Sequence, residues 1–222
     1  LSVTGWRDQH FKSRQHRNGI KVMQDSINSR LLTTLGDEVE VIDSQLARNN
    51  VTILQGKARF SDAHKLAIQQ NIKGKKTSFS VTAEKFLISV GTKPFRPKSI
   101  PFNSTTVIDS DSVAASLPMP KSITVVGGGV IGLEYATIFS TLEIPVTVVE
   151  AREQILEFID RDIVANFVHQ LSERGISLRL GRTIDKISLD DDDHPNIILD
   201  DGRQLRSEML LFTAGRVGAV DK

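Results

Sequence analysis

Three glycines, Gly127, Gly129 and Gly132, constrain this chain more than any other feature, and they sit in the run Val125-Val126-Gly127-Gly128-Gly129-Val130-Ile131-Gly132-Leu133-Glu134. Ile123–Val126 before them is apolar and β-branched and reads as a buried strand, and Val130–Leu142 after them reads as a helix. A strand passing straight into a helix leaves room for only the tightest turn, which glycine permits. The alternation then continues with a strand at Val146–Val149, a helix at Asp160–Glu173 with Ile163, Phe167 and Leu171 on one face, and a strand at Ile176–Leu180. A βαβαβ run of this kind predicts an α/β fold with a parallel sheet and right-handed crossovers.

The glycine spacing is G-x-G-x-x-G, and each glycine has a mechanical task. The first makes the turn off the strand, the second lets a pyrophosphate approach the backbone, and the third lets the helix pack closely on the strand. A helix starting near Val130 directs its free N–H groups and positive dipole end at such phosphates. Glu150 closes the next strand, 18 residues beyond Gly132, where a carboxylate accepts a hydrogen bond from an adenosine ribose. Dinucleotide binding is the expectation. Glu150 favours NAD, since it repels a 2′-phosphate by about 1–4 kcal/mol depending on screening. Arg152, two residues on, is placed to pair with that phosphate if Glu150 swings aside, so use of both NAD and NADP stays open, as does a plain surface role for Arg152.

The first half of the chain is organised differently. Apolar residues at Ile20, Met23, Ile27, Leu31, Leu35, Val39, Ile42 and Leu46 step by three or four and predict an amphipathic helix, with Gly36 a candidate bend and Asn49-Asn50 its end. The basic segment Trp6–Asn18 before it reads as a solvated helix or loop. Short strands are predicted at Val51–Leu54, Ala58–Phe60, Leu66–Ile72, Thr77–Val81 and Phe86–Val90, with Lys73-Gly74-Lys75-Lys76 a hairpin turn. The stretch from Thr92 to Pro120 is rich in Pro and Ser and suggests a connection, with a boundary near Met119–Pro120. Past the α/β run, Ile184–Leu189, Ile197–Leu199 and Gln204–Leu205 read as strands joined by Asp190–Asp193 and Asp201-Gly202, with a last buried strand at Met209–Phe212.

Composition removes several function classes. The 222 residues carry 28 Lys plus Arg and 27 Asp plus Glu, a formal charge of +1, which argues against a general nucleic-acid or membrane-surface binder. No apolar run approaches the length of a membrane span. With no Cys, the chain holds no disulfide framework, Cys-ligated zinc or redox dithiol. The five His lack metalloprotease spacing, Asp190–Asp193 lacks the Gly and distal Glu of a calcium loop and reads as a solvated hairpin tip, and no G-x-S-x-G elbow occurs. Leu1 is not Met, and Leu1–Trp6 has neither a basic start nor an apolar signal core. A processed protein and an internal piece of a longer one both fit, and the motifs favour the piece.

Three segments together resemble the pyridine nucleotide–disulfide oxidoreductase family of flavoproteins: Ile123–Glu150, Phe86-Leu87-Ile88-Ser89-Val90-Gly91-Thr92-Lys93-Pro94, and Leu211-Phe212-Thr213-Ala214-Gly215-Arg216. Gly91-Thr92 with Pro94 looks like that family's ATG(S/T)xP segment, and Thr213–Arg216 like its TAxGR segment. Ile53–Phe60, Thr82–Phe86, Ile108-Asp109-Ser110-Asp111-Ser112 and Val130–Phe139 extend the likeness to the soluble (Si-specific) NAD(P) transhydrogenase branch.

The resemblance implies a Rossmann-like NAD(P)-binding domain at residues 120–222, inserted in the full-length family within an FAD-binding domain whose latter part would be residues 1–119. It implies FAD, NAD and NADP as cofactors or substrates. Gly127, Gly128, Gly129, Val130, Ile131 and Gly132 would hold the NAD(P) pyrophosphate, Glu150 the ribose, and Glu134 would lie near the nicotinamide, with a plain helix-face carboxylate its alternative. Ile184 would touch adenine through its backbone, and Gly215 would let the nicotinamide end approach the sheet. Ala58, Val90, Gly91 and Thr92 would give FAD backbone contacts, with tight turns that hold no ligand an equal alternative. The reaction implied is hydride transfer from NADPH to NAD+ through flavin, with no side-chain acid or base, in a cytoplasmic homo-oligomer when full length. The family's own first G-x-G-x-x-G, its second FAD segment and its dimerisation domain are not in this sequence. A disulfide reductase like dihydrolipoamide dehydrogenase is one alternative, needing a Cys pair upstream and a His base downstream. A non-catalytic NAD-binding fragment is the other.

Overall fold

The computed structural model describes residues 19–72, 74–114 and 118–220. They divide into two compact units, one over Lys21–Val90 and the other from Gly91 onward. The segment 91–119 therefore belongs with the α/β unit. The basic segment Trp6–Asn18 and Lys73 of the predicted turn lie outside the described residues.

The first unit consists of helix α1 (Gly19–Arg48) and a three-stranded antiparallel meander, β1 (Lys57–Asp62), β2 (Lys65–Ile72) and β3 (Lys75–Thr82), in the order β1-β2-β3. Helix α1 runs through Gly36 without a break. A Cβ there would meet nothing within 4 Å, and one glycine costs about 1 kcal/mol, which thirty helical residues absorb. Asn50 does end the helix, in the left-handed region at φ 56°. Val51 N–H then bonds Leu46 C=O at 2.9 Å and Asn50 N–H bonds Ala47 C=O at 3.1 Å, the paired bonds of a Schellman cap. Leu35, Val39 and Ile42 of the predicted stripe are exposed, while Leu31 and Leu46 are half-buried.

Two predicted strands of this unit do not form. Val51–Leu54 and Phe86–Val90 are irregular, and Leu87 is 93% exposed. Apolar, β-branched residues make a strand only where a neighbour completes the hydrogen-bond ladder, and among the described residues none pairs with these.

The second unit is layered. Its central parallel sheet has the order β5-β12-β6-β7-β8, from β5 (Val107–Asp109), β6 (Ile123–Val126), β7 (Val146–Glu150), β8 (Ser177–Leu180) and β12 (Met209–Phe212). Strands β5, β6, β7 and β12 carry apolar residues on both faces, as strands covered on both sides must, while the edge strand β8 has Leu178 and Leu180 on one face and Ser177 and Arg179 on the other. Alternate residues sort the two cores. Ile108, Ile123, Val125, Val146, Val148, Met209 and Leu211 pack with helices α2 (Val130–Thr141) and α3 (Arg161–Glu173). Val107, Val126, Val149, Leu210 and Phe212 pack with Ile197 and Leu199 of an antiparallel meander on the opposite face. That meander is β9 (Ile184–Leu189), β10 (Pro195–Leu199) and β11 (Gln204–Arg206).

Two small strands, β4 (Thr92–Pro94) and β13 (Arg216–Gly218), pair antiparallel beside this sheet. Neither they nor β5 stand out in the sequence, because three residues are too few for a period of two to show. Helix α3 buries Val164 and Leu171, with Phe167 and Val168 partly covered, whereas Ile163 is 63% exposed. The expected face was thus one residue off at its start. No described helix is long and apolar enough to cross a membrane.

Truncating Leu211, which is fully buried between helix layer and sheet, should cost about 2–5 kcal/mol. Ile163→Ala should stay within about 0.5 kcal/mol. Urea denaturation of both variants checks the pair, with the Leu211→Ala midpoint falling and the slope unchanged.

Candidate functional site

The turn from β6 into α2 builds the site. Gly127 has φ +110°, a value that side chains disfavour, and its N–H bonds Val149 C=O at 2.8 Å. A Cβ on Gly132 would collide with the carbonyl oxygen of Gly127, so only glycine lets α2 start this close to the strand. A Cβ on Gly128 would come within 2.8 Å of Ile155 and 3.1 Å of the Glu150 side chain. Gly129 is different. It caps α2 at φ −80° with no side-chain hydrogen bond, and a Cβ there would meet nothing within 4 Å.

The first hydrogen bond inside α2 runs from Leu133 N–H to Gly129 C=O at 3.0 Å, so the N–H groups of Val130, Ile131 and Gly132 precede the intrahelical ladder. They meet the positive end of the helix dipole beside the open space at Gly129. That arrangement suits an anion.

Glu150, at the end of β7, is buried, with 6% of its surface exposed. Its Oε2 accepts from Gly128 N–H at 2.6 Å and from Arg152 Nη2 at 3.1 Å. Its Oε1 accepts from Arg152 N–H at 3.0 Å and Nε at 2.9 Å. Burial alone would raise the carboxyl pKa. The bonds from the Arg152 side chain, the Arg152 backbone and Gly128 outweigh that and hold it below its ordinary value. Arg152 is raised in return, chiefly by its hydrogen bond to Glu150. From the sequence alone these two are a free acceptor and a separate cation. The structure joins them in one bidentate pair.

A groove of about 500 Å³ runs over the strand ends, and among its walls are Gly127, Gly129, Glu150, Arg152, Ile184 and Gly215 of the predicted residues. Gly128 is buried and is not among the walls, its N–H held by Glu150. On α2, Val130 and Glu134 are exposed and Ile131 is half-buried, and none of the three is among the groove walls. Ala58 and Val90 lie in the first unit, and Gly91 and Thr92 open the second; none lines the groove.

Thr213 and Arg182 line the groove without having been singled out for it. The Thr213 hydroxyl donates to Val126 C=O at 2.9 Å and its N–H to the same oxygen at 2.8 Å, tying the end of β12 to the glycine turn. A polar residue directly after a run of four buried apolar ones was the available signal. Arg182 sits in the turn after β8 and pairs with Asp201 at 2.9 Å.

The sequence signature of the family described as pyridine nucleotide-disulphide oxidoreductase matches residues 9–221. The chain belongs to this family. A soluble pyridine nucleotide transhydrogenase of Mycobacterium bovis is 32% identical over all of this chain and 47% of its own length. One from Vibrio parahaemolyticus is 34% identical over 89% of the chain and 43% of its own length. The chain thus spans about half the length of the curated relatives it matches.

Among solved structures, LpdA of Mycobacterium tuberculosis superposes with a TM-score of 0.79 at 21% identity, over 97% of this chain and 47% of that one. A copper complex of the flavoprotein disulfide reductase RclA from Escherichia coli gives 0.66 at 28% identity, over 77% of this chain and 37% of that one. The Rossmann-like α/β architecture expected from the glycine turn is the architecture of these neighbours.

A second polar cluster stands beside the family's TAxGR-like segment. Arg216 Nη1 pairs with Asp111 at 2.8 Å, its Nε donates to Thr92 Oγ1 at 2.7 Å and its Nη2 to Thr92 C=O at 2.8 Å. Arg96 Nε meets the buried Asp109 at 2.6 Å. Burial raises the Asp109 pKa, but bonds from Arg96 and Ser112 carry it below the ordinary value. These residues hold β4, β5 and β13 together.

Glu150→Gln should destabilise the chain by about 1.5–3 kcal/mol at pH 7, the worth of a charged buried hydrogen bond. The folded carboxyl titrates below its ordinary 4.5, so its contribution is complete above that value and disappears as pH falls through the folded pKa. Urea midpoints of parent and variant should therefore differ at pH 7 and converge only once the pH has fallen through the folded pKa, below the ordinary carboxyl value.

Proposed function

We propose that this chain forms the nucleotide-binding portion of an FAD-dependent oxidoreductase that moves hydride from NADPH to NAD+, a soluble transhydrogenase. The observation that carries the reading is the glycine turn itself. Gly127, Gly128 and Gly132 are glycines that the fold needs, whereas Gly129 faces open space beside free helix N–H groups, where only a ligand needs a bare backbone. The cradle fits a dinucleotide pyrophosphate. Family membership and transhydrogenase relatives at 32–34% identity support the finer assignment.

Residues 120–222, with edge strand β5, hold NAD(P)(H) as substrate, and the preceding residues contribute to the FAD-binding domain through Ala58, Val90, Gly91 and Thr92. When bound, FAD supplies the two-electron relay between the two nucleotides. The chain's own residues bind and orient. The N–H groups of Val130, Ile131 and Gly132 hold the pyrophosphate, and Ile184 flanks the adenine. Gly215, at φ +110°, lets the nicotinamide end come close to the sheet. Thr213 fixes the turn, and Glu134 stands toward the nicotinamide. No side-chain proton transfer is required for hydride transfer, and the full-length protein acts as a cytoplasmic homo-oligomer.

Titrating the chain with NADH and following its fluorescence tests the reading. Gly129→Val should weaken binding at least tenfold, while the urea midpoint falls by no more than the loss of an N-cap glycine accounts for, about 1 kcal/mol, because the fold has space for the side chain. A parent that binds no NADH at millimolar concentration, or a variant that binds as the parent does, overturns the proposal. In the longer protein, failure of NADPH to reduce an NAD+ analogue would overturn the transhydrogenase assignment alone.

A further inference from the structure

Residues 97–102, between β4 and β5, form a strap along the groove, and Pro97, Ser99 and Ile100 are among its walls. None of the three has a part in the nucleotide contacts described above. Among the described residues the strap's backbone hydrogen bonds are local. Ile100 N–H bonds Pro97 C=O at 3.2 Å and Phe102 N–H bonds Ile100 C=O at 3.0 Å, and neither bond reaches the sheet. Segments held by so few backbone bonds belong to the low-stability end of a fold. The strap is fixed at its two ends instead. Just before it, Phe95 N–H bonds Gly215 C=O at 3.1 Å. Just after it, the side-chain oxygen of Asn103 accepts the N–H groups of Thr106 and Val107, each at 2.9 Å.

Between those ends one guanidinium holds the strap in place. Arg96 Nε donates to Asp109 Oδ2 at 2.6 Å, and that carboxylate is buried at the end of β5. The same guanidinium lies over the ring of Phe102, 5.1 Å from its centroid. Phe102 in turn meets Phe212 edge to face, with centroids 5.8 Å apart. Phe212 ends β12 and is itself a groove wall. The residue before the strap is thus stacked on the strap's last residue, and the closed loop is anchored to β5 through Asp109 and to β12 through Phe212. Ile100 and Phe102 pack against the same apolar cluster as Ile184, so the strap stands on the side of the groove assigned to the adenine.

We propose that this strap is a retaining wall for the adenosine half of a bound dinucleotide, and that Arg96 is a positioning residue that latches it through Asp109 and Phe102. The inference deepens the nucleotide-binding reading above and rests on it. The latch acts on departure. A bound nucleotide leaves as fast as the wall beside it gives way, so a loosened strap raises the dissociation rate and changes the association rate little. Pro97 and Ile100 are apolar, and the wall therefore treats NADH and NADPH alike. Arginine suits the latch because its planar group pairs with a carboxylate and stacks on a ring at once, which a lysine ammonium does less well.

Stopped-flow measurement of NADH and NADPH binding to the parent chain, Arg96→Ala, Arg96→Lys, Phe102→Leu and Lys98→Ala tests the strap. Arg96→Ala and Phe102→Leu should speed dissociation of both nucleotides tenfold or more and change association less than threefold. Arg96→Lys should recover part of the loss. Lys98, exposed and not among the groove walls, should tolerate alanine without effect. Trypsin gives a second readout. Lys93 and Arg96 each precede a proline, which blocks cleavage, so between residues 92 and 112 the Lys98-Ser99 bond is the one trypsin cuts. NADH should protect that bond in the parent, and without NADH the bond should be cut tenfold faster in Arg96→Ala than in the parent. Should Arg96→Ala lower the urea midpoint, the double variant Arg96→Ala/Asp109→Asn, which leaves no buried charge unpaired, decides the matter. Variants that release both nucleotides at the parent's rate, or whose Lys98-Ser99 bond is cut no faster, overturn the latch while leaving the nucleotide groove standing. A parent that binds neither nucleotide overturns both.

Discussion

The Glu150 carboxylate is the interaction on which the site depends. It joins the end of β7 to the amide of Gly128 and to Arg152, so one buried anion fixes a turn and a cation at once. A buried charge is tolerable only when fully paired and hydrogen-bonded. Four donors meet that condition here, and the consequence is rigidity. The glycine turn between β6 and α2 has no side chains of its own to hold it, and its shape is imposed from β7 through Glu150 and from β12 through Thr213. The open space at Gly129 exists because its neighbours are held on both sides.

The fold of the second unit was legible because its strands and helices are long enough for their periods to show. Ile123–Val126, Val146–Val149 and Met209–Phe212 are apolar runs interrupted only by Thr124 and Thr147, which is how strands covered on both faces read. The misses have a common cause. Val51–Leu54 and Phe86–Val90 have strand composition but no neighbour to pair with among the described residues, and pairing is a tertiary property that composition does not encode. Conversely β4, β5 and β13 carry no pattern and exist because a neighbour or an arginine holds them. The face of α3 slipped by one residue because Ile163 and Val164 are equally apolar, and only packing chooses between them.

The site was legible in its backbone and not in its side chains. Glycine spacing announces a turn whose geometry only glycine allows, so Gly127 and Gly132 followed directly from sequence. The state of Glu150 did not, because it depends on which of its neighbours reaches it, and a carboxylate two residues from an arginine is consistent with either a free or a paired group. Arg182 was silent for a related reason. Its place in the groove is set by the register of β7 against β8, which brings residues thirty positions apart side by side.

The ribbon of β4 and β13 has a consequence for how such a unit travels between proteins. The chain comes into the α/β unit along Thr92–Pro94 and leaves it along Arg216–Gly218, antiparallel and hydrogen-bonded, with Arg216 clamping both to Asp111. Paired strands lie about 5 Å apart. A host polypeptide could therefore carry everything between those two points at the tip of a single hairpin, and would need to reshape no more than a turn to acquire or to lose it. Among the described residues the parallel sheet pairs with no strand outside the ribbon, and the two clusters that pack its faces are drawn from residues between those two points.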